Sequence, residues 1–75
     1  MKRFYKVSDS VFMTIGYIET ISKWYAELID TNAHKIISTN SNSDKAKLIA
    51  DIVKENWFGG NIDNFALFIE DILKY

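Results

Sequence analysis

Val11-Phe12-Met13-Thr14-Ile15-Gly16-Tyr17-Ile18 is the stretch on which the fold of this chain turns. Val11, Phe12, Ile15 and Ile18 recur at helical spacing, and Ser8 or Asp9 stands where a helix ending near Thr20 would be capped. The side chains pull the other way. Thr14, Ile15, Gly16, Tyr17 and Ile18 are all poor helix formers, and a strand here would carry apolar residues on both faces. Weighed on pattern, the spacing prevails, and residues 10–20 are predicted to be helical.

Before this stretch, Arg3-Phe4-Tyr5-Lys6-Val7 reads as a short strand, and Ser8-Asp9-Ser10 supplies turn or cap chemistry. After it, residues 22–30 alternate. Trp24, Ala26 and Leu28 share one face, while Tyr25, Glu27 and Ile29 share the other. Asp30-Thr31-Asn32-Ala33 is rich in turn formers, and residues 34–39 read as the returning strand of a hairpin. Asn40-Ser41-Asn42-Ser43 then breaks the sheet. Ser41 or Ser43 is expected to cap the next helix, and Asp44 adds favourable charge at its positive end. Leu48, Ile49, Ile52, Val53 and Trp57 form an apolar stripe, with Lys45, Lys47, Asp51, Lys54 and Glu55 mostly outside it. Gly59-Gly60 is expected to end that helix. A last helix begins at Asn61 or Asp63 and buries Phe65, Phe68, Ile69, Ile72 and Leu73. The expected fold is therefore α+β: a small three-stranded antiparallel sheet with two C-terminal helices packed on one face. Its element order is β-α-β-β-α-α, in a single domain spanning residues 1–75.

Composition narrows the function. Seventy-five residues bury a modest fraction of their surface, so stability has to come from packing or self-association. With 48% hydrophobic and 15% aromatic residues, the chain can build a core. It has no cysteine, which removes disulfides and thiolate metal sites and fits a cytoplasmic protein. Nine basic and ten acidic residues leave a net charge of -1, too little for a nonspecific grip on DNA and too little for an acidic DNA mimic. Lys2 and Arg3 could open a signal peptide, but no small-residue cleavage site follows the apolar stretch. No apolar run is long enough to span a bilayer, so no membrane role is expected.

Residues for chemistry are scarce. Nucleophilic catalysis needs an activated side chain beside a base, and the lone histidine, His34, falls at the hairpin turn. Glu70 and Asp71 are adjacent on a helix and diverge; Asp51 and Glu55 share a face that reads as solvated. Asp30, Asn32 and His34 do not complete a calcium loop. Gly59-Gly60 lacks the lysine and the preceding strand of a phosphate loop. No enzyme activity, metal or cofactor is expected.

Binding surfaces are better represented. Trp57-Phe58 places two large aromatics at a helix end, and Tyr25 with Glu27 lies on the hairpin face that the helices do not need. These four are the predicted protein-binding residues, since large aromatics dominate binding hot spots. Lys2, Arg3 and Lys6, interleaved with Phe4 and Tyr5, form a small basic and aromatic cluster, the alternative site for nucleic acid. A third reading is a homodimer or accessory assembly joined through the exposed hairpin face.

The opening Phe4-Tyr5-Lys6-Val7-Ser8-Asp9 resembles the start of a family of short uncharacterised proteins encoded by phages, prophages and mobile elements of low-GC bacteria. In that family the start is followed by a helix, a hairpin, a helix ending near a tryptophan, a segment like Ile62-Asp63-Asn64-Phe65 and a last helix. At Tyr17-Ile18-Glu19-Thr20 the chain departs from it, because the family tends to have a helix-ending Lys-Gly there. The second half also resembles some small anti-CRISPR proteins, although those are more acidic. The resemblance implies a phage or mobile-element protein acting by stoichiometric binding to a host protein in the bacterial cytoplasm. A defence nuclease such as a CRISPR effector is the most concrete target it suggests.

Overall fold

Residues 11–18 form a strand. In the computed structural model, which describes residues 2–75, β1 (Lys2–Lys6), β2 (Val11–Ile18), β3 (Lys23–Asp30) and β4 (Lys35–Asn42) make one antiparallel sheet in the spatial order β1-β2-β3-β4. Helices α1 (Lys45–Lys54) and α2 (Ile62–Lys74) follow. The fold is α+β as expected, but the sheet has four strands rather than three, and the element order is β-β-β-β-α-α rather than β-α-β-β-α-α.

The correction has a physical cause. β2 lies inside the sheet, paired with β1 from Lys6↔Phe12 to Lys2↔Gly16 and with β3 from Val11↔Asp30 to Ile18↔Lys23. An inner strand contacts neighbours on both sides, so apolar residues on both of its faces are useful. Met13 and Ile15 point beneath the helices and are fully buried, while Phe12, Thr14 and Gly16 point to the opposite face. The stretch satisfies its backbone groups only through β1 and β3, which a helical reading of the local sequence leaves out. A single 3-10 turn, Glu19–Ile21, with Ser22 in the left-handed region (φ 51°), returns the chain into β3.

The β3–β4 hairpin forms where alternation places it. The Asp30 carboxylate accepts hydrogen bonds from the amides of Asn32 (3.0 Å) and Ala33 (3.2 Å), and His34 closes the turn at φ 51°. A register shift between Leu28 and Ile29 leaves Ile37 as an extra residue in β4.

Both helix ends differ from expectation. Asp44, not Ser41 or Ser43, caps α1: its carboxylate accepts from the Ala46 amide at 2.9 Å. The C-terminus of α1 is closed by Asn56, not by Gly59-Gly60. Asn56 takes the left-handed conformation (φ 55°), its amide bonds the Val53 carbonyl at 3.0 Å, and the Trp57 amide bonds that of Ile52 at 3.2 Å. Asparagine tolerates this conformation because its side chain is short and polar. Gly59 and Gly60, both at positive φ, carry the loop into α2, which Asn61 caps by accepting from the Asn64 amide at 3.1 Å.

The left-handed cap decides where Trp57 and Phe58 go. It turns the chain back under the helix, and Trp57 and Phe58 enter the core at 5% and 6% exposure. Phe58 stacks on Phe68 with ring centroids 5.2 Å apart. The core lies between the sheet and the helices and contains Met13, Ile15, Ala26, Leu48, Ile52, Phe68 and Ile72, all fully buried.

α2 is clamped to β1 by one carboxylate. Asp71 accepts from the Tyr5 hydroxyl and from Arg3 Nη1 at 3.0 Å, and the Arg3 guanidinium lies 4.1 Å from the centre of the Tyr75 ring. Burial, and then the hydrogen bond to Asp71 and its negative charge, push the Tyr5 phenol well above its usual pKa near 10. Below about pH 10 the phenol is neutral in both the folded and the unfolded chain. Above it the unfolded chain gives up the proton while the folded chain retains it, so stability is lost as pH rises. Urea denaturation at about pH 9 and about pH 11 should therefore show a fall that the Tyr5→Phe variant largely lacks. At neutral pH that variant is expected to be less stable by about 1 kcal/mol, the worth of the lost hydrogen bond.

Candidate protein-binding face

The helices cover only one face of the sheet, and strand alternation sets what the other presents. Register places three rows across it. Lys2, Gly16, Tyr25 and Ser41 make the first row; Phe4, Thr14, Glu27 and Thr39 the second; Lys6, Phe12, Ile29 and Ile36 the third. No helix packs over these side chains, because Met13, Ile15, Ala26 and Leu28 take the helix side of β2 and β3.

The centre of this face is polar and ordered. Thr14, 2% exposed, donates its hydroxyl to Glu27 Oε1 at 3.3 Å, and Lys2 Nζ lies 3.4 Å from the same oxygen. Around it the face is apolar. Phe4 is 69% exposed and Ile36 50%, while Phe12, Tyr25 and Ile29 are half-buried. Beside Gly16, where a side chain is missing from the row, a depression of about 220 Å³ is lined by Lys2, Tyr17, Ile18 and Tyr25.

The predicted protein-binding residues separate accordingly. Tyr25 and Glu27 lie on the open face. Trp57 and Phe58 do not: both are core residues, and the Trp57 indole N–H is spent on Glu55 Oε1 at 3.0 Å. The predicted basic cluster also divides. Lys2 and Lys6 share the open face with Phe4, whereas Arg3, at the alternate position, turns to the helix side and pairs with Asp71. Lys2 and Lys6 each face a carboxylate, Glu27 at 3.4 Å and Asp9 at 3.6 Å. Ile29 lies on the open face with Tyr25 and Glu27, as the alternation of residues 22–30 places it, and Phe4 joins them from β1. Phe12 and Ile36 were missed as surface residues, Phe12 because its place on this face exists only when β2 is a strand. For Phe12 the available signal was the alternation of Phe12, Thr14 and Gly16.

Among the described residues no three of His, Asp and Glu come close enough to hold a metal ion. His34 is exposed at the hairpin turn. No helix of the described residues is long and apolar enough to cross a membrane. Comparison of the chain with models of known families, with curated proteins and with solved structures found no match.

Proposed function

We propose that this protein works by stoichiometric binding to another protein through the open face of its sheet. The observation that carries the reading is the uncovered apolar surface of Phe4, Phe12, Tyr25, Ile29 and Ile36 around the Lys2–Glu27 pair. Apolar side chains around a fixed polar centre suit a protein interface, where burial supplies affinity and the charge pair supplies orientation. The resemblance of the chain's opening to phage and mobile-element proteins suggests a host protein as partner and the bacterial cytoplasm as the place of action. A defence nuclease such as a CRISPR effector is its most concrete form.

Titrating the protein into DNA cleavage by such an effector tests this. Inhibition should reach its endpoint at one copy per effector, without turnover. Tyr25→Ala should weaken inhibition about 30-fold, the cost of a central aromatic contact, while Leu67→Ala on the far side leaves it unchanged. Inhibition at substoichiometric levels would indicate catalysis and sink the reading. Retention of the protein on DNA or RNA, lost with Lys2→Ala and Lys6→Ala and weakening steeply with salt, would replace it with nucleic-acid binding. The ion pairs already made by Lys2 and Lys6, with the net charge of -1, make that second reading the weaker one.

A further inference from the structure

The second exposed apolar surface lies on the opposite side of the molecule, in the furrow between α1 and α2. The helices run antiparallel. Lys45 at the start of α1 donates to the Ile72 carbonyl near the end of α2 at 3.2 Å, and Ile52 and Val53 meet Ile62 and Phe65 around a pocket of about 140 Å³. On the helical wheel Ile49 and Val53 of α1 face Ile62, Ile69 and Leu73 of α2. Ile49 is buried, while Val53 is 50%, Leu73 66% and Ile62 77% exposed.

The crests beside this furrow carry opposite charge. The outward line of α1 holds Lys47 and Lys54; that of α2 holds Asp63 and Glu70, with Lys74 beside Glu70 at its end. Both pairs are spaced by seven residues, two helical turns. The Lys45–Ile72 contact and the Ile52, Val53 and Phe65 pocket place Lys47 at the height of Glu70, and Lys54 at the height of Asp63. All four side chains are exposed. Among the described residues the one ion pair any of the four makes is a long one, from Glu70 to Lys74 at 3.8 Å.

We propose that this helical face is the interface of a homodimer, in which the helix pairs of two copies meet as an antiparallel four-helix layer. A two-fold axis parallel to the helices sets α1 of each copy over α2 of the other and preserves heights along the helices. Lys47 then faces the partner's Glu70, Lys54 faces the partner's Asp63, and the two apolar furrows close on each other. A two-fold axis across the helices sets lysine over lysine, and is disfavoured by repulsion. The face is self-complementary in charge, which selects a second copy over an unrelated helix. Its size sets the strength. Helices about 15 and 20 Å long, about 10 Å apart, cover an area no larger than the low end of specific interfaces, so a weak dimer is expected. Such a dimer leaves both open sheet faces outward, and its existence does not depend on what they bind.

Sedimentation equilibrium of the full chain across the micromolar range tests the proposal. The wild type should pass from monomer to dimer. Lys47→Glu with Lys54→Glu should weaken the dimer at least about tenfold, and so should Asp63→Lys with Glu70→Lys, because each sets like charges against one another. Mixing the two variants should restore a dimer containing one copy of each, an outcome that mere damage to the fold does not produce. Circular dichroism should show both variants folded. A wild type that stays monomeric throughout overturns the proposal. So does a dimer indifferent to both charge sets, or one abolished by Phe4→Asp on the sheet face and not by Leu73→Glu on the helical face.

Discussion

Phe68→Ala is expected to leave a large fraction of the molecules unfolded at room temperature. Phe68 is fully buried, where α2 meets both the sheet and the loop from α1. Its ring lies 5.0 Å from that of Tyr5 on β1, edge to face, 5.2 Å from Phe58 and 6.5 Å from Phe65. One side chain thus joins β1, the interhelical loop and α2. Removing it loses the transfer free energy of the ring and leaves a cavity that these three elements would have to close together, a cost of about 3–5 kcal/mol. A domain of this length has a total stability of about 4–11 kcal/mol, so the loss is comparable with the whole. Urea denaturation followed by tryptophan fluorescence should show the midpoint moving towards zero denaturant. Leu67→Ala, one residue away but 64% exposed, should change stability by no more than about 0.5 kcal/mol. Comparable losses at both positions would mean that α2 is rotated from its observed orientation.

Ile15→Asp is expected to prevent folding, and its comparison with Ile18→Asp tests the strand that the local sequence disguised. In a helix, residues 15 and 18 share a face and would be damaged alike. In β2 they point to opposite sides. Ile15 is fully buried beneath the helices, between Arg3 of β1 and Ala26 of β3. Its cationic neighbour, Arg3, is already held by Asp71 at 3.0 Å, so a buried carboxylate at 15 would compete with that pair, at a cost that is still a large part of the entire stability. Ile18 is half-buried on the open face, opposite Lys23 in the register. An aspartate at 18 gains a cross-strand partner of opposite charge, so it should cost about 1 kcal/mol and leave the protein folded. Circular dichroism and urea denaturation of the two variants give the ratio. Equal damage would rule out β2 as an inner strand.

The candidate face was half legible in the sequence, and Tyr25 and Glu27 show why. Their strand alternates over residues 23–30, so the parity of each side chain is readable without any knowledge of the neighbours. Phe4 and Lys2 had the same parity signal, yet Arg3 was grouped with Lys2 and Lys6 because charge clusters are counted along the chain. The pleat separates them: Arg3 leaves the cluster for Asp71, sixty-eight residues away in sequence. Trp57 and Phe58 were open for a different reason, since Trp57 also completes the apolar stripe of Leu48, Ile49, Ile52 and Val53. Hydrophobicity identifies an aromatic pair but not its direction, and the direction came from a left-handed cap at Asn56.

The sequence by itself determined the α+β class, the β3–β4 hairpin, the two amphipathic helices and the near-neutral surface. Each of these is a local property: a period of 2.0 or 3.6, a turn-forming cluster, a sum of charges. Only the tertiary structure decided that residues 11–18 are a strand and that Phe58 lies inside with Trp57. It also decided that Phe4, Phe12, Tyr25, Ile29 and Ile36 share one open face. Those outcomes depend on pairing between segments distant in sequence. An inner strand obtains both its hydrogen bonds and its burial from neighbours, so its own residues under-determine it. A helix closes its hydrogen bonds within four residues, which is why α1 and α2 were legible and β2 was not.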